Sequence, residues 1–215
     1  AIACGRDSRG ILLCAATKMN DASRVREAIL AGVDCCGENR VQELVEKRRE
    51  NAYAGAPVHF IGHLQTNKVK RVVGKVALIH SVDSLRLLEA IEKEAARQGI
   101  VQDILLEINI AGEESKSGFS LEEAENLLPE LGRFSAIRVR GFMAIPPICQ
   151  NLTDNHKFFQ EMCNLSVDIM RKKYDNVCVD ILSMGMSDDF ADAIACGSTM
   201  IRVGTAIFGQ RYYAK

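Results

Sequence analysis

The sequence has no apolar run approaching the ~20 residues of a membrane-spanning helix, which argues against an integral helical membrane protein. Nor does it carry an excess of either charge. Its 27 Lys and Arg stand against 28 Asp and Glu, a formal net charge of −1, so it offers no basic stripe for nucleic acid. The eight cysteines show no CxxC spacing and fall mostly inside apolar segments (Cys14, Cys35, Cys36, Cys178, Cys196). That pattern suits reduced core thiols in a cytoplasmic protein better than a disulfide framework. There is no signal peptide, internal repeat, low-complexity tract or linker, and the chain begins at Ala1 without a methionine, so a trimmed N-terminus is expected. What is present is 215 residues at 47% hydrophobic content, enough for one soluble domain over residues 1–215 with an ample core. The expected partner is a small molecule rather than nucleic acid or membrane, and the expected state is a monomer.

Short apolar runs rich in β-branched residues alternate with longer amphipathic segments. Strands are predicted at Ile11–Ala16, Val33–Cys36, Val58–Ile61, Val76–Ile79, Asp103–Ile110, Ile137–Phe142, Val177–Leu182 and Met200–Val203. Helices are predicted near Ala22–Ala31, Val41–Asn51, a short basic stretch at Asn67–Val73, the Ser84-capped segment to Gly99, Ser120–Leu131, Asp154–Lys172 and Ser187–Ala195. Ser120-Leu-Glu-Glu reads as a capping box. Leu85, Leu88, Ile91 and Ala95 supply one apolar stripe. Eight strands alternating with helices in a chain of this size close most economically as a single (β/α)8 TIM barrel, ahead of an open doubly wound sheet.

A barrel gathers the residues that follow its strands at one mouth. Lys18, Glu38, Asn39, His63, His80, Asn109, Met143, Ser187 and Arg202 each come at or just after a predicted strand end. Ordinary turn chemistry accounts for part of that list. Lys18 closes the core run ILLCAATK, where an ammonium group either snorkels to water or faces an anion or carbonyl. SMGMSDD after strand seven and RVGTAIFG after strand eight each present free backbone N–H groups at a helix start, a setting suited to a phosphate lined by Ser187, Gly204 and Thr205. An N-cap at Ser187 and a plain turn at Gly204 would explain the same residues without a ligand. In a closed barrel strand one lies beside strand eight, so a lysine and a phosphate cup become neighbours. That pairing suggests pyridoxal phosphate, its aldehyde on Lys18 as a Schiff base and Arg202 beside its ring.

The runs ATK, GENRVQE, HFIGHLQTNK, HSVDS, NIAGEESKSGF, GFMAIPP and LSMGMSDDFADAIACGSTMIRVGTAIFGQR resemble, over essentially the whole chain, the YggS/PROSC family of pyridoxal phosphate homeostasis proteins. The resemblance implies the barrel of PLP fold type III, like the N-terminal domain of alanine racemase. It implies pyridoxal 5′-phosphate as cofactor, held on Lys18, with Arg202 at the pyridine nitrogen and Ser187, Gly204 and Thr205 at the phosphate. It also implies Asn39 near the ring and Met184 and Met186, in the segment after strand seven, among the cofactor-binding residues. Three places depart from the family pattern. The helix that members usually carry before strand one is absent or truncated, TKMN replaces a lysine-threonine-basic-proline run, and His63 stands where many members have proline.

Two functions fit this reading: a protein that holds pyridoxal phosphate and passes it to apoenzymes, and a racemase-like enzyme. A guanidinium at the pyridine nitrogen makes the ring a weaker electron sink. Racemases of this fold type add a second domain with a tyrosine for the opposite face of the substrate, and no such domain is expected here. Tyr212 and Tyr213 are the tyrosines expected nearest the mouth, and no catalytic residue is assigned. A Schiff-base aldolase with Lys18 as its amine is a further alternative. His59 and His63 are spaced like metal ligands but lack a completing group, so no metal is expected. His80 and Lys116 read as solvated loop residues, Lys116 also as a contact for a second anion.

Overall fold

The structure, a computed structural model, describes residues 1–113, 115–147 and 154–210. Eight parallel strands, β1 (Leu12–Ala16), β2 (Cys35–Glu38), β3 (Val58–Phe60), β4 (Leu78–Val82), β5 (Gln102–Ile108), β6 (Ile137–Ala144), β7 (Val177–Ser183) and β8 (Met200–Val203), follow one another around a closed barrel. Closure is made by β1 against β8, with Cys14 opposite Arg202 and Ala15 opposite Val203. Helices α1 (Ala22–Leu30), α2 (Val41–Arg49), α3 (Leu85–Gln98), α4 (Leu121–Leu127), α5 (Asp154–Lys172), α6 (Phe190–Ala195) and α7 (Thr205–Phe208) alternate with the strands. The barrel expected from the alternation is the one found.

Strands two and four run further than their apolar stretches. β2 takes in Gly37 and Glu38, and β4 takes in His80, Ser81 and Val82. Polar residues continue these strands because the fold supplies each with a partner, so a drop in hydrophobicity did not mark the strand end. After β3 the basic segment is a 3-10 helix, Thr66–Arg71. The helix expected to reach Leu131 stops at Leu127 and tightens into 3-10 geometry over Leu128–Arg133, where Pro129 has no N–H to continue the α ladder. Its capping box at Ser120 and Glu123 is formed. On α3 the buried stripe is Leu87, Leu88, Ile91 and Ala95, while Leu85 at the first turn is left exposed.

Two apolar layers result. The larger lies between sheet and helices and includes Leu44, Leu88, Ile91, Phe142, Phe159, Met162 and Ile169. Each such side chain contributes roughly 1.5–3 kcal/mol by leaving water. The smaller fills the barrel with Cys14, Ala16, Cys35, Ile61, Leu78, Leu105, Met143 and Met200. Among these apolar groups stand four buried polar ones, His59, His80, Ser183 and Arg202. Cys178, expected in the core, is exposed, whereas Cys14, Cys35, Cys36 and Cys196 are buried.

The first ten residues form two short 3-10 turns, and Arg6 ties them to the barrel by donating to Ile194 O at 2.7 Å and Ser198 O at 2.6 Å. Gly141 permits a tight passage between β6 and β7. Its φ is +136, and a Cβ there would stand 2.0 Å from Ile181 O, at the point where the register of the two strands shifts. Among the described residues no helix is long and apolar enough to cross a membrane.

Candidate functional site

Lys18 is positioned by a turn that the chain locks on both sides. Thr17 donates its N–H to Gly37 O at 2.9 Å, and Met19 sits in the left-handed region at φ 62 with its N–H on Glu43 Oε2 at 2.6 Å. Asn20 closes the turn through Nδ2 to Lys18 O at 3.1 Å. Helix α1 then begins on Asp21, whose side chain accepts from Arg24 N. Because β1 pairs with β8, this turn faces the one that follows β8, where Gly204 leads into Thr205 and α7. The two turns enclose a cavity of about 230 Å³ lined by Lys18, Met19, Asn20, Arg24, Gly204, Thr205 and Phe208, among others. Arg24 stands at its edge, bonded to Phe208 O and 5.6 Å from the centre of the Phe208 ring.

Ser187 belongs to the same corner. Its Oγ accepts from Gly204 N at 3.2 Å and from Ala206 N at 3.3 Å, so it joins the β7 and β8 exits rather than capping α6. Asp189 fixes the intervening segment, accepting from Met186 N at 2.6 Å and from Asn155 Nδ2 at 3.1 Å. Met184 is fully buried in the outer core and Met186 is exposed, so neither side chain is among the cavity-lining groups named above.

Arg202 reaches into the barrel beneath this corner. Nη1 donates to Ser183 O at 2.8 Å and Ser183 Oγ at 2.6 Å, and Nη2 to Ala144 O at 3.0 Å. Burial draws its pKa down, but a guanidinium still stays charged. A second cavity of about 260 Å³ spans the exits of β2 to β6 and is lined by Asn39, His63, Ser81, Glu107, Asn109 and Lys116, among others. Asn39 Oδ1 is buried there without a hydrogen-bond partner among the described residues. The Asn39 loop lies directly on Gly62, where a Cβ would come within 2.3 Å of Asn39 O. Burial and the nearby Asp83 push the Glu107 carboxyl up to about 7, against the opposing pull of Arg202 and His63.

Glu38, His80 and Met143, expected at the mouth, lie elsewhere, whereas His63 and Asn109 line the second cavity. Glu38 points between sheet and α2, where its Oε1 takes bonds from Lys47 Nζ at 2.7 Å, Thr17 Oγ1 at 2.6 Å and the Tyr53 hydroxyl at 3.2 Å. His80 and Met143 are strand residues inside the barrel, so His80 is not a solvated loop residue. His63 is exposed and pairs with Asp83 at 3.1 Å. Lys116 pairs with Glu113 at 2.7 Å. Asn109 Nδ2 braces the β5 exit by donating to Glu113 O and Lys116 O. Tyr212 and Tyr213 lie outside the described residues. Arg24 and Phe208 were not singled out from sequence; the one hint was their place on the first helical turns after the Lys18 and Gly204 loops.

A closed parallel barrel with a lysine ending β1 against a glycine-threonine turn after β8 defines a class, and residues 10–212 match the family described as alanine racemase, N-terminal domain. Within that class the chain belongs to the family of pyridoxal phosphate homeostasis proteins. It is 42% identical over 214 residues to the pyridoxal phosphate homeostasis protein of Aquifex aeolicus (strain VF5), covering 98% of this chain and 93% of that one. To the protein of the same name from Escherichia coli (strain K12) it is 39% identical, covering 100% and 92%. Its fold is similar to the solved structure of PipY from Synechococcus elongatus PCC7942 with PLP bound. The TM-score is 0.85 at 31% identity, covering 97% of this chain and 96% of that one.

Proposed function

We propose that this protein binds pyridoxal 5′-phosphate at the mouth of the barrel and serves to hold and hand on the cofactor inside the cell. The observation that carries the reading is that Lys18 and the Gly204-Thr205 turn, far apart in sequence, line one cavity. The donor set fits the group. Lys18 offers a primary amine for the aldehyde; Ser187 and Thr205 offer hydroxyls for the phosphate, Gly204 shapes the turn with its N–H held by Ser187 Oγ, and Arg24 adds a cation. Asn39 Oδ1 is a buried acceptor without a partner among the described residues, and Arg202, which donates to Ser183 and Ala144, carries further N–H groups that can face a ring nitrogen. Met184 and Met186 take part through the segment that carries Ser187. When bound, the cofactor supplies an electrophilic aldehyde and a ring that draws electrons from an attached amine.

The handing-on role, as opposed to amino-acid catalysis, is supported by what surrounds Lys18. Racemisation needs a proton donor or acceptor on each face of the substrate carbon. The groups named at the Lys18 cavity include one amine and the guanidinium of Arg24, which cannot act as a base at neutral pH. Tyr53 is buried against Glu38, and Tyr174 packs against the outer core. Transfer to apoenzymes in a reducing cytoplasm, by transient contact, completes the reading.

Borohydride reduction of the cofactor-loaded protein followed by peptide mass mapping tests the site. A single phosphopyridoxyl adduct on Lys18 is expected, and an adduct confined to Lys116 or surface lysines would overturn the assignment. Chiral analysis of L-alanine incubated with the loaded protein tests the role. No Lys18-dependent D-alanine is expected, and turnover on the order of 1–1,000 per second would restore the enzyme reading.

A further inference from the structure

We infer that the barrel interior holds a second site, a thiolate-imidazole centre for a divalent metal of the zinc type, formed by Cys14, Cys35 and His59. Cys14 Sγ, Cys35 Sγ and a ring nitrogen of His59 all lie within 4.8 Å of one another, and all three residues are buried. They come from three successive strands. Cys14 stands opposite Cys35 in the β1–β2 register, and the β2–β3 pairing sets His59 against Gly37, two residues on from Cys35. Closing the barrel thus delivers two sulfurs and a nitrogen to one point.

The sulfur-to-nitrogen separation between Cys35 and His59 suits a tetrahedral ion. With Zn–S at about 2.3 Å and Zn–N at about 2.0–2.1 Å, ligand atoms at a tetrahedral angle stand roughly 3.5 Å apart for sulfur and nitrogen. Cys35 Sγ is 3.6 Å from His59 Nδ1, and His80 Nε2 is 3.0 Å from the same nitrogen. That nitrogen carries one lone pair or one hydrogen, so it satisfies only one of its two neighbours at a time. The two soft sulfurs select zinc or a similar thiophilic ion over magnesium or calcium.

The surroundings also suit a ligand set. The far nitrogen of His80, Nδ1, is 3.0 Å from Ser183 Oγ, which itself accepts from Arg202. His59 is thereby held by a buried chain of polar contacts that runs through His80 to Ser183 and Arg202. Binding would exchange the two thiol protons for one M2+, leaving both sulfurs as thiolates and releasing two protons to solvent. The site is distinct from the Lys18 cavity and does not depend on the cofactor reading.

The test uses the unmodified protein produced and equilibrated with zinc, dialysed, and measured by elemental analysis and zinc-edge X-ray absorption. One zinc per chain is expected, with two sulfur neighbours near 2.3 Å and one imidazole nitrogen near 2.0–2.1 Å. The Cys14→Ser/Cys35→Ser pair should lose that zinc while keeping its circular dichroism and its borohydride adduct on Lys18. Because the absorption spectrum is read on the unmodified chain, misfolding of the variant would not blunt the test. No zinc, equal zinc on the folded variant, a shell of nitrogen and oxygen only, or a chain lighter by two hydrogens with Cys14 and Cys35 joined would each overturn the site.

Discussion

Glu107 is a carboxyl in β5 at the edge of the second cavity, and its environment sets a pH dependence. Burial, reinforced by Asp83, lifts it from 4.5 to about 7, so between those values the folded chain binds more protons than the unfolded chain. Stability from this group is complete below about pH 4.5 and is lost as pH rises through about 7, a change on the order of 3 kcal/mol at most. Glu107→Gln should therefore flatten the decline in urea midpoint across that window and be the more stable protein at pH 8. A variant whose stability curve keeps the slope of the parent would refute the placement. Buried Glu38 follows the same direction, its pKa raised by burial more than Lys47 lowers it. Lys47 Nζ also donates to Thr17 O at 2.7 Å, so this pair braces the turn that presents Lys18.

At the level of elements, the barrel depends on places where two strands pass too closely for a side chain. Gly141 in β6 is the sharpest, because its φ of +136 and the 2.0 Å approach to Ile181 O each forbid a Cβ. Gly141→Ala should cost more than about 2 kcal/mol and loosen the β6–β7 pairing. Hydrogen exchange would read this as faster exchange in both strands than in β2 and β3, and a stable, uniformly protected variant would contradict it. The mouth is built from short elements of the same kind. α7 has only four residues, yet Gly204, Ser187 and Arg24 tie its two ends to β7 and α1.

For the whole molecule, closure makes each strand the support of two others, and ion pairs cross from one strand to the next. Arg138 bridges to Asp103 at 2.8 Å, and Arg140 joins Asp103 at 2.7 Å and Asp180 on β7. We propose that residues 1–215 act as one domain and unfold in one step, although the chain is longer than those for which this is routine. Far-ultraviolet circular dichroism and tyrosine fluorescence should give superimposable urea transitions. Two separated transitions would divide the chain.

The order of polar and apolar residues determined eight strands alternating with helices and favoured a closed barrel over an open doubly wound sheet, because closure buries every strand edge. It also determined that Lys18, Gly204 and Thr205 would meet, since they flank the first and last strands and closure makes those strands neighbours. Four features were decided only by tertiary structure: the burial of His80, the turning of Glu38 toward Lys47, the contact of Arg24 with Phe208, and the convergence of Cys14, Cys35 and His59. Each depends on which side of a strand faces inward and on what crosses the barrel to meet it. Polar side chains inside a strand look in sequence like its end, and only the folded chain supplies the partners that let them stay.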